Sequence, residues 1–287
     1  MKKLSDYVVG FGDNKVDYYT NQNIKYPGGN AVNFAVAGKK SGVEAFYVGT
    51  ISDDADGQLV IDGLKDNKVD FHYCNRTKST SEKVFVEIKD GERIFVSSQR
   101  GSRQTPELSK KLLELCGNSL LVHSGCHAKT EDKLPEIKAS GAKISFDFSD
   151  LEKYRTDEYL NEVCPNIFIA QFSVSKDSPL EIERLKKRCM DNNVRFVLLT
   201  KGSESPLFLD AKNEITYQGF IRKSDRVLDT MGAGDSYFAA FAVQLMKYLQ
   251  TGEINEEMVV NCFKKAANLA HDVLQINGAF GCGVPIN

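Results

Sequence analysis

The chain has no excess of charge of either sign. Its 37 lysines and arginines stand against 39 aspartates and glutamates, a formal charge of −2. Such a balance lacks the electrostatic footprint of a general nucleic-acid binder. No apolar run reaches membrane-spanning length, and the opening stretch from Met1 to Asp6 leads into charged positions rather than the apolar region of a secretory leader. The seven cysteines are odd in number and never spaced as Cys-x-x-Cys. A disulfide framework is therefore not expected, and reduced thiols in the cytoplasm are. Internal repeats, low-complexity tracts and a Pro/Ser-rich linker are also missing, which excludes solenoids and argues against tandem domains. What is present is an ordinary globular composition, 41% hydrophobic and 26% charged over 287 residues, enough to bury a substantial core.

Short apolar or β-branched runs alternate with helical patterns along most of the length. Tyr7 to Gly10 precedes Asn30 to Lys40, Ala45 to Ile51 precedes Gln58 to Asn67, and Ser119 to His123 precedes Asp132 to Ser140. Lys143 to Phe148, Ile167 to Ala170 with Pro179 to Asn192, and Phe196 to Thr200 continue the rhythm. This predicts an α/β fold with a mainly parallel sheet. Two stretches break it, Val16 to Tyr26 and Lys83 to Ser97, where strand-like residues have no following helix. The second reads as a hairpin turning at Asp90-Gly91. Together they predict a small β lid, residues 14–27 and 83–98, on a single domain spanning 1–287. The exposed face and edges of such a lid predict a homodimer through it.

Three segments carry candidate chemistry. Asp229-Thr230-Met231-Gly232-Ala233-Gly234-Asp235-Ser236 runs into the nearly all-apolar stretch from Tyr237 to Met246. A glycine-rich turn opening a buried helix presents free N–H groups and the positive end of the dipole to an anion such as phosphate. A carboxylate there repels the anion, so Asp235 needs another task, such as accepting a proton from a hydroxyl that attacks a phosphoryl group. Alternatively Asp229 or Asp235 merely caps the helix. Gly10-Phe11-Gly12-Asp13-Asn14-Lys15-Val16-Asp17 invites a dinucleotide fingerprint, and hence an oxidoreductase. Lys15 occupies the third glycine position and the sequence continues as a strand, which excludes that fingerprint. Asp13, Asn14 and Asp17 instead suit sugar hydroxyls at the carboxyl end of a strand, with a plain Asx turn as the alternative. In Pro27-Gly28-Gly29-Asn30-Ala31-Val32-Asn33, Gly28 and Gly29 form a hinge or a close ligand contact. Asn30 and Asn33 then serve as polyol ligands, or as an N-cap and a polar face residue.

Taken together, these segments resemble the ribokinase-like, phosphofructokinase-B type carbohydrate kinases. Asp229 to Tyr237 matches that family's C-terminal signature, and Gly28 to Asn33 with Val48-Gly49 and Asp53, Asp54 and Gly57 matches its N-terminal one. The resemblance covers the whole chain. It implies a three-layer α/β core with a β lid, ATP with Mg²⁺, and transfer to a sugar hydroxyl. It implies Asp235 as the catalytic base, Gly232, Ala233 and Gly234 as the anion hole, and Asp13, Asn14, Asp17, Gly28, Gly29, Asn30 and Asn33 facing the acceptor. Within the family, the strings from Gly12 to Tyr19, Tyr26 to Ala31 and Phe146 to Ser149 look most like the fructoselysine kinases. Those enzymes phosphorylate the sixth hydroxyl of the sugar in glycated lysine. The alternatives are another ketose, ribose or a nucleoside as acceptor, or a non-catalytic relative that binds nucleotide or sugar.

On the nucleotide side, Leu199 to Pro206 resembles the family's nucleotide loop and assigns Thr200 and Gly202 to ATP, although Ser205 replaces its second glycine. Asn268 is implied near adenine. The Asn-x-x-Glu segment that assists Mg²⁺ in relatives should lie at Gln171 to Lys176, where neither residue is found, so the metal ligands stay unassigned. Gly281, Gly283 and Asp229 lie where relatives build a K⁺ site. His123-Ser124-Gly125-Cys126-His127 lacks complementary ligands for zinc and reads as a strand end or a wall of the acceptor site. Lys186-Lys187-Arg188 reads as a solvated helix face.

Overall fold

The computed structural model describes residues 6–89, 92–101, 104–175 and 177–286. The Asp90-Gly91 turn and Lys176 lie outside the described residues. The chain opens with β1 (Tyr7–Phe11), forms the antiparallel pair β2 (Lys15–Tyr19) and β3 (Ile24–Gly28), and enters α1 (Asn30–Lys40). β4 (Glu44–Val48), β5 (Thr50–Ser52), α2 (Ala55–Asp66) and β6 (Asn75–Thr77) follow, then β7 (Lys83–Lys89) and β8 (Glu92–Gln99). Next come α3 (Lys110–Asn118), β9 (Leu121–Gly125), α4 (Leu134–Ala139), β10 (Ile144–Asp147), α5 (Asp157–Val163), β11 (Ile169–Ser173) and α6 (Pro179–Asp191). The chain closes with β12 (Phe196–Lys201), β13 (Glu204–Asp210), β14 (Ile215–Gln218), α7 (Ala233–Thr251), α8 (Glu256–Val273) and β15 (Val284–Pro285).

Eight strands form the central sheet in the order β14-β13-β12-β11-β10-β9-β1-β4. The stretch from β4 to β12 is parallel, and β13 and β14 extend it antiparallel. Successive strand residues feed opposite faces, as Val8 and Val9 or Leu121 and Val122 do. One face packs α1, α2, α7 and α8; the other packs α3, α4, α5 and α6. The result is the expected three-layer α/β core. Because the strands are buried on both faces, their sequences read as nearly continuous apolar runs. Polar residues inside them, such as His123, Ser145 and Asp147, are therefore the informative exceptions.

Several expected boundaries change. Ala45 to Ile51 is not one strand: β4 ends at Val48, and β5 pairs with β6 in a separate two-stranded sheet. The break falls at Gly49, where a Cβ would stand 2.0 Å from the Tyr47 hydroxyl and 2.5 Å from the Gly12 carbonyl oxygen. The helix expected from Asp132 starts as a 3-10 turn at Glu131–Lys133 and becomes α4 at Leu134, with Pro135 in the first helical turn. The second sheet, in the order β15-β3-β2-β7-β8, holds the strands of the two stretches expected to form a lid. It recruits β15 from the far end of the chain, which sequence patterning missed because two residues carry no periodicity.

Candidate active site

The C-terminal ends of β1, β9 and β10 bring their loops to the first turns of α1 and α7, the crevice where parallel sheets hold ligands. Gly29 precedes α1 with φ 116°, and a Cβ there would come within 2.8 Å of the Asp13 carbonyl oxygen. Gly29 brings no side-chain cap; instead the Asp13 carboxylate accepts the free N–H groups of Asn30 and Ala31 at 3.1 and 3.2 Å. That frees the Asn30 side chain for the site. Its Nδ2 donates to Asp235 Oδ1 and to Asp147 Oδ2, each at 3.0 Å. One turn along α1, Asn33 Nδ2 donates to Asp235 Oδ2 at 2.6 Å. Asp235 is thus gripped by two amides and caps nothing.

A chain behind Asn30 fixes its orientation. His123 Nε2 lies 3.0 Å from Asn30 Oδ1, and because that oxygen only accepts, Nε2 carries the proton. Nδ1 then accepts from the Ser145 hydroxyl at 2.9 Å. Burial drives the imidazole down to about 3, so it is neutral, and it is stacked on Phe34 at 4.2 Å between ring centroids. His123 is a positioning residue here. The thiol of Cys126 is raised by burial, which removes any nucleophilic use.

The acceptor side converges at Gly28, where a Cβ would stand 2.8 Å from Asp17 Oδ2 and 3.8 Å from Asn33 Oδ1. Among the described residues Asp17 Oδ1 and Asn33 Oδ1 are buried without hydrogen-bond partners. Asn14 turns its amide away, donating to the Tyr47 hydroxyl at 2.8 Å and the Thr50 carbonyl at 2.9 Å. Burial raises Asp17 to about 6, and burial followed by the charge of Asp235 raises Asp147 to about 7. Asp235 is raised too, by burial, with Asn33 and Asn30 pulling back.

α7 starts at Ala233 after Gly232, which sits at φ 71° in the left-handed region that glycine tolerates. A Cβ on Gly234 would meet nothing within 4 Å, so the first turn faces open space. The Ala233 N–H donates to the Thr230 carbonyl oxygen at 3.3 Å, and the following N–H groups, without intrahelical acceptors, suit an anion. Asp229, fully buried, takes the Tyr19 hydroxyl at 2.5 Å, Gly278 N–H at 2.8 Å and Met231 N–H at 2.9 Å. It ties the lid, the closing loop and the glycine-rich turn together.

Thr200 and Gly202 stand at the end of β12, with Gly202 at φ 61° and the Thr200 hydroxyl 3.3 Å from the Phe172 carbonyl oxygen. Asn268 lies on α8, its Oδ1 accepting from Arg222 at 3.4 Å. Ser205 falls inside β13 rather than in the turn. Among the described residues no group of three or more His, Cys, Asp or Glu side chains could hold a metal ion alone.

The sequence of this constellation matches the pfkB family of carbohydrate kinases over residues 1–286. The chain belongs to that family. It is 31% identical to the fructosamine kinase FrlD of Bacillus subtilis (strain 168), covering 97% of this chain and 94% of that protein. It is 29% identical to the fructoselysine 6-kinase of Escherichia coli (strain K12), over 80% of this chain and 85% of that one. Among solved structures, Giardia lamblia ribokinase superposes with a TM-score of 0.80 at 19% identity, covering 98% of this chain and 97% of that one. Arabidopsis thaliana ribokinase complexed with ribose and ATP gives 0.77 at 21% identity, covering 98% and 95%. This pfkB kinase is therefore a phosphotransferase acting on a sugar hydroxyl, in a family that uses ATP. No helix among the described residues is long and apolar enough to cross a membrane.

Sequence reasoning named Asp13, Gly28, Gly29, Asn30, Asn33 and Asp235, and the fold brings them together. Asp147 enters it only as part of a string, and Lys15 only as part of a string and as the residue that excludes a dinucleotide fingerprint. Both were legible as polar residues at strand ends, but nothing local distinguishes such a residue from an ordinary loop polar group.

Proposed function

We propose that this kinase transfers the γ-phosphoryl group of ATP to the sixth hydroxyl of fructoselysine or a closely similar fructosamine. The observation that carries it is the Asp235 carboxylate, raised by burial and clamped by Asn30 and Asn33 at the head of an anion-binding helix. Similarity over nearly the whole chain to a fructosamine kinase supports the acceptor class. ATP, with a hydrated Mg²⁺ held largely by phosphates and water, supplies the phosphoryl group and neutralises its charge. Thr200, Gly202 and Asn268 face the nucleotide, and the N–H groups of Gly232, Ala233 and Gly234 steady the anion. Asp17, Asn33 and the surface of Gly28 hold the sugar hydroxyls, while Asp235 accepts the proton of the attacking one. The neutral His123 keeps the Asn30 amide turned toward both carboxylates. The protein works in the cytoplasm, a location supported by all seven cysteines being free thiols.

The test is ADP release with fructoselysine against fructose, ribose, other fructosyl-amino acids and nucleosides. The highest kcat/KM is expected for fructoselysine or another fructosyl-amino acid. A free sugar winning overturns the acceptor, and no ADP release with any acceptor favours a binding-only relative.

The lid dimerises in this proposal. β8 is an edge strand with Ile94, Phe95 and Val96 exposed, Phe95 by 62%, and apolar edges of this kind find cover. Sedimentation should give a dimer for the protein and a monomer for Phe95→Glu. A monomeric wild type refutes the lid interface.

A further inference from the structure

The mechanism gives Asp235, Asp13 and Asp17 tasks and leaves Asp147 none. Asp147 ends β10, its Oδ1 accepting Ser149 N–H at 2.8 Å and its Oδ2 accepting from Asn30. Asp13, Asp17 and Asp235 all act on the Lys15 ammonium and favour its charge against burial. Asp147 has no such partner: no ion pair reaches it among the described residues. Arg155, whose charge it feels, is already committed to Asp177 at 2.5 Å and to the carbonyl oxygens of Ser149 and Ser173.

Of the buried side-chain atoms left without partners among the described residues, Asp17 Oδ1, Asn33 Oδ1 and Gln171 Oε1, the last on the strand paired with Asp147, are acceptors only, whereas Arg155 Nε is a donor and the Thr50 hydroxyl can be either. The site therefore holds spare acceptors and spare negative charge, and the ligand that answers both is rich in donors and positively charged. A neutral sugar brings hydroxyl donors only. A sugar joined to an amine brings hydroxyls and a secondary ammonium. Asp147 Oδ2 and Asp235 Oδ1, each 3.0 Å from Asn30 Nδ2, are at most 6.0 Å apart. A single hexose-sized ligand can touch both.

We propose that Asp147 recognises the ammonium at the sugar–amine junction of the acceptor and sets the preference for amine-linked over neutral sugars. This rests on the fructosamine assignment above and adds the residue that reads the amine. Asp235 faces the reacting hydroxyl, and Asp147 faces the charge that distinguishes the substrate from free fructose.

The experiment compares kcat/KM for fructoselysine and for fructose in the wild type, Asp147→Asn and Asp147→Glu. Asp147→Asn is expected to lose about 10- to 100-fold on fructoselysine, mostly in KM, and less than about threefold on fructose. Asp147→Glu, which keeps the charge, should recover part of the loss. Asp147→Ser repeats the comparison with a smaller side chain should the amide variant not fold. Fructoselysine alone should raise the melting temperature of the wild type and not of the uncharged variants. Equal losses on both acceptors, or a preference that survives Asp147→Asn, overturn the role of Asp147 while leaving the fructosamine assignment standing. A wild type without preference for the amine-linked acceptor overturns that assignment and this one together.

Discussion

Asp235→Asn is expected to lower kcat by about 10²–10⁴-fold, the usual worth of a positioned base, with the fold retained. The amide is isosteric and keeps an oxygen for one of the two clamping asparagines, so the cost in stability is on the order of 1 kcal/mol. The pH profile provides a second readout. Burial raises Asp235, Asp17 to about 6 and Asp147 to about 7; Asp235 must be ionised to accept a proton and Asp147 to hold a cation, and Asp17 accepts a hydroxyl best when ionised. Activity is therefore present above these values and falls as the pH drops through them, over a range higher than ordinary carboxylates give. In Asp235→Asn the acid limb of kcat should change, because the proton acceptor it reports is gone while Asp17 and Asp147 still titrate. Near-wild-type turnover, or an unchanged limb, would remove Asp235 from the role of base.

Asp229→Ala is expected to cost roughly 3–5 kcal/mol of stability, because three buried donors lose one carboxylate at once. Those donors belong to the lid at Tyr19, the closing loop at Gly278 and the glycine-rich turn at Met231. For a chain of this size the melting temperature should fall by about 10 °C. Tyr19→Phe removes a single donor and serves as the control, with an expected cost of about 1–2 kcal/mol. Urea unfolding of the two variants separates the outcomes. A loss under 1 kcal/mol for Asp229→Ala would mean that the network is not a structural tie. Activity should fall along with stability, since the same carboxylate shapes the turn that leads into α7.

Much of the core was legible because its signals are local. α1 begins and ends where its pattern does, at Asn30 and Lys40, and the lid strands stood out as β-branched runs with no helix behind them. β15 was not legible, since two residues pairing with β3 across the length of the chain carry no period. Gly49 was quoted as a motif residue, but its splitting of a predicted strand depends on Tyr47 and Gly12 pressing from the side.

The same division runs through the site. The sequence alone determined the family and the place of a glycine-rich turn with a carboxylate, Gly232 to Asp235, at the start of a buried helix, because glycine placement and a carboxylate at a helix start are local facts. Tertiary structure decided which partners those residues have. Asn30 could have been a helix cap; it became the bridge between Asp147 and Asp235 because Asp13, from the loop after β1, took over the cap. His123 could have been a plain strand end or a wall of the acceptor site; burial against Phe34 left it neutral and holding Asn30 in place. Hydrogen-bond partners distant in sequence, and the desolvation that shifts each carboxylate, exist only once the sheet has gathered its strand ends.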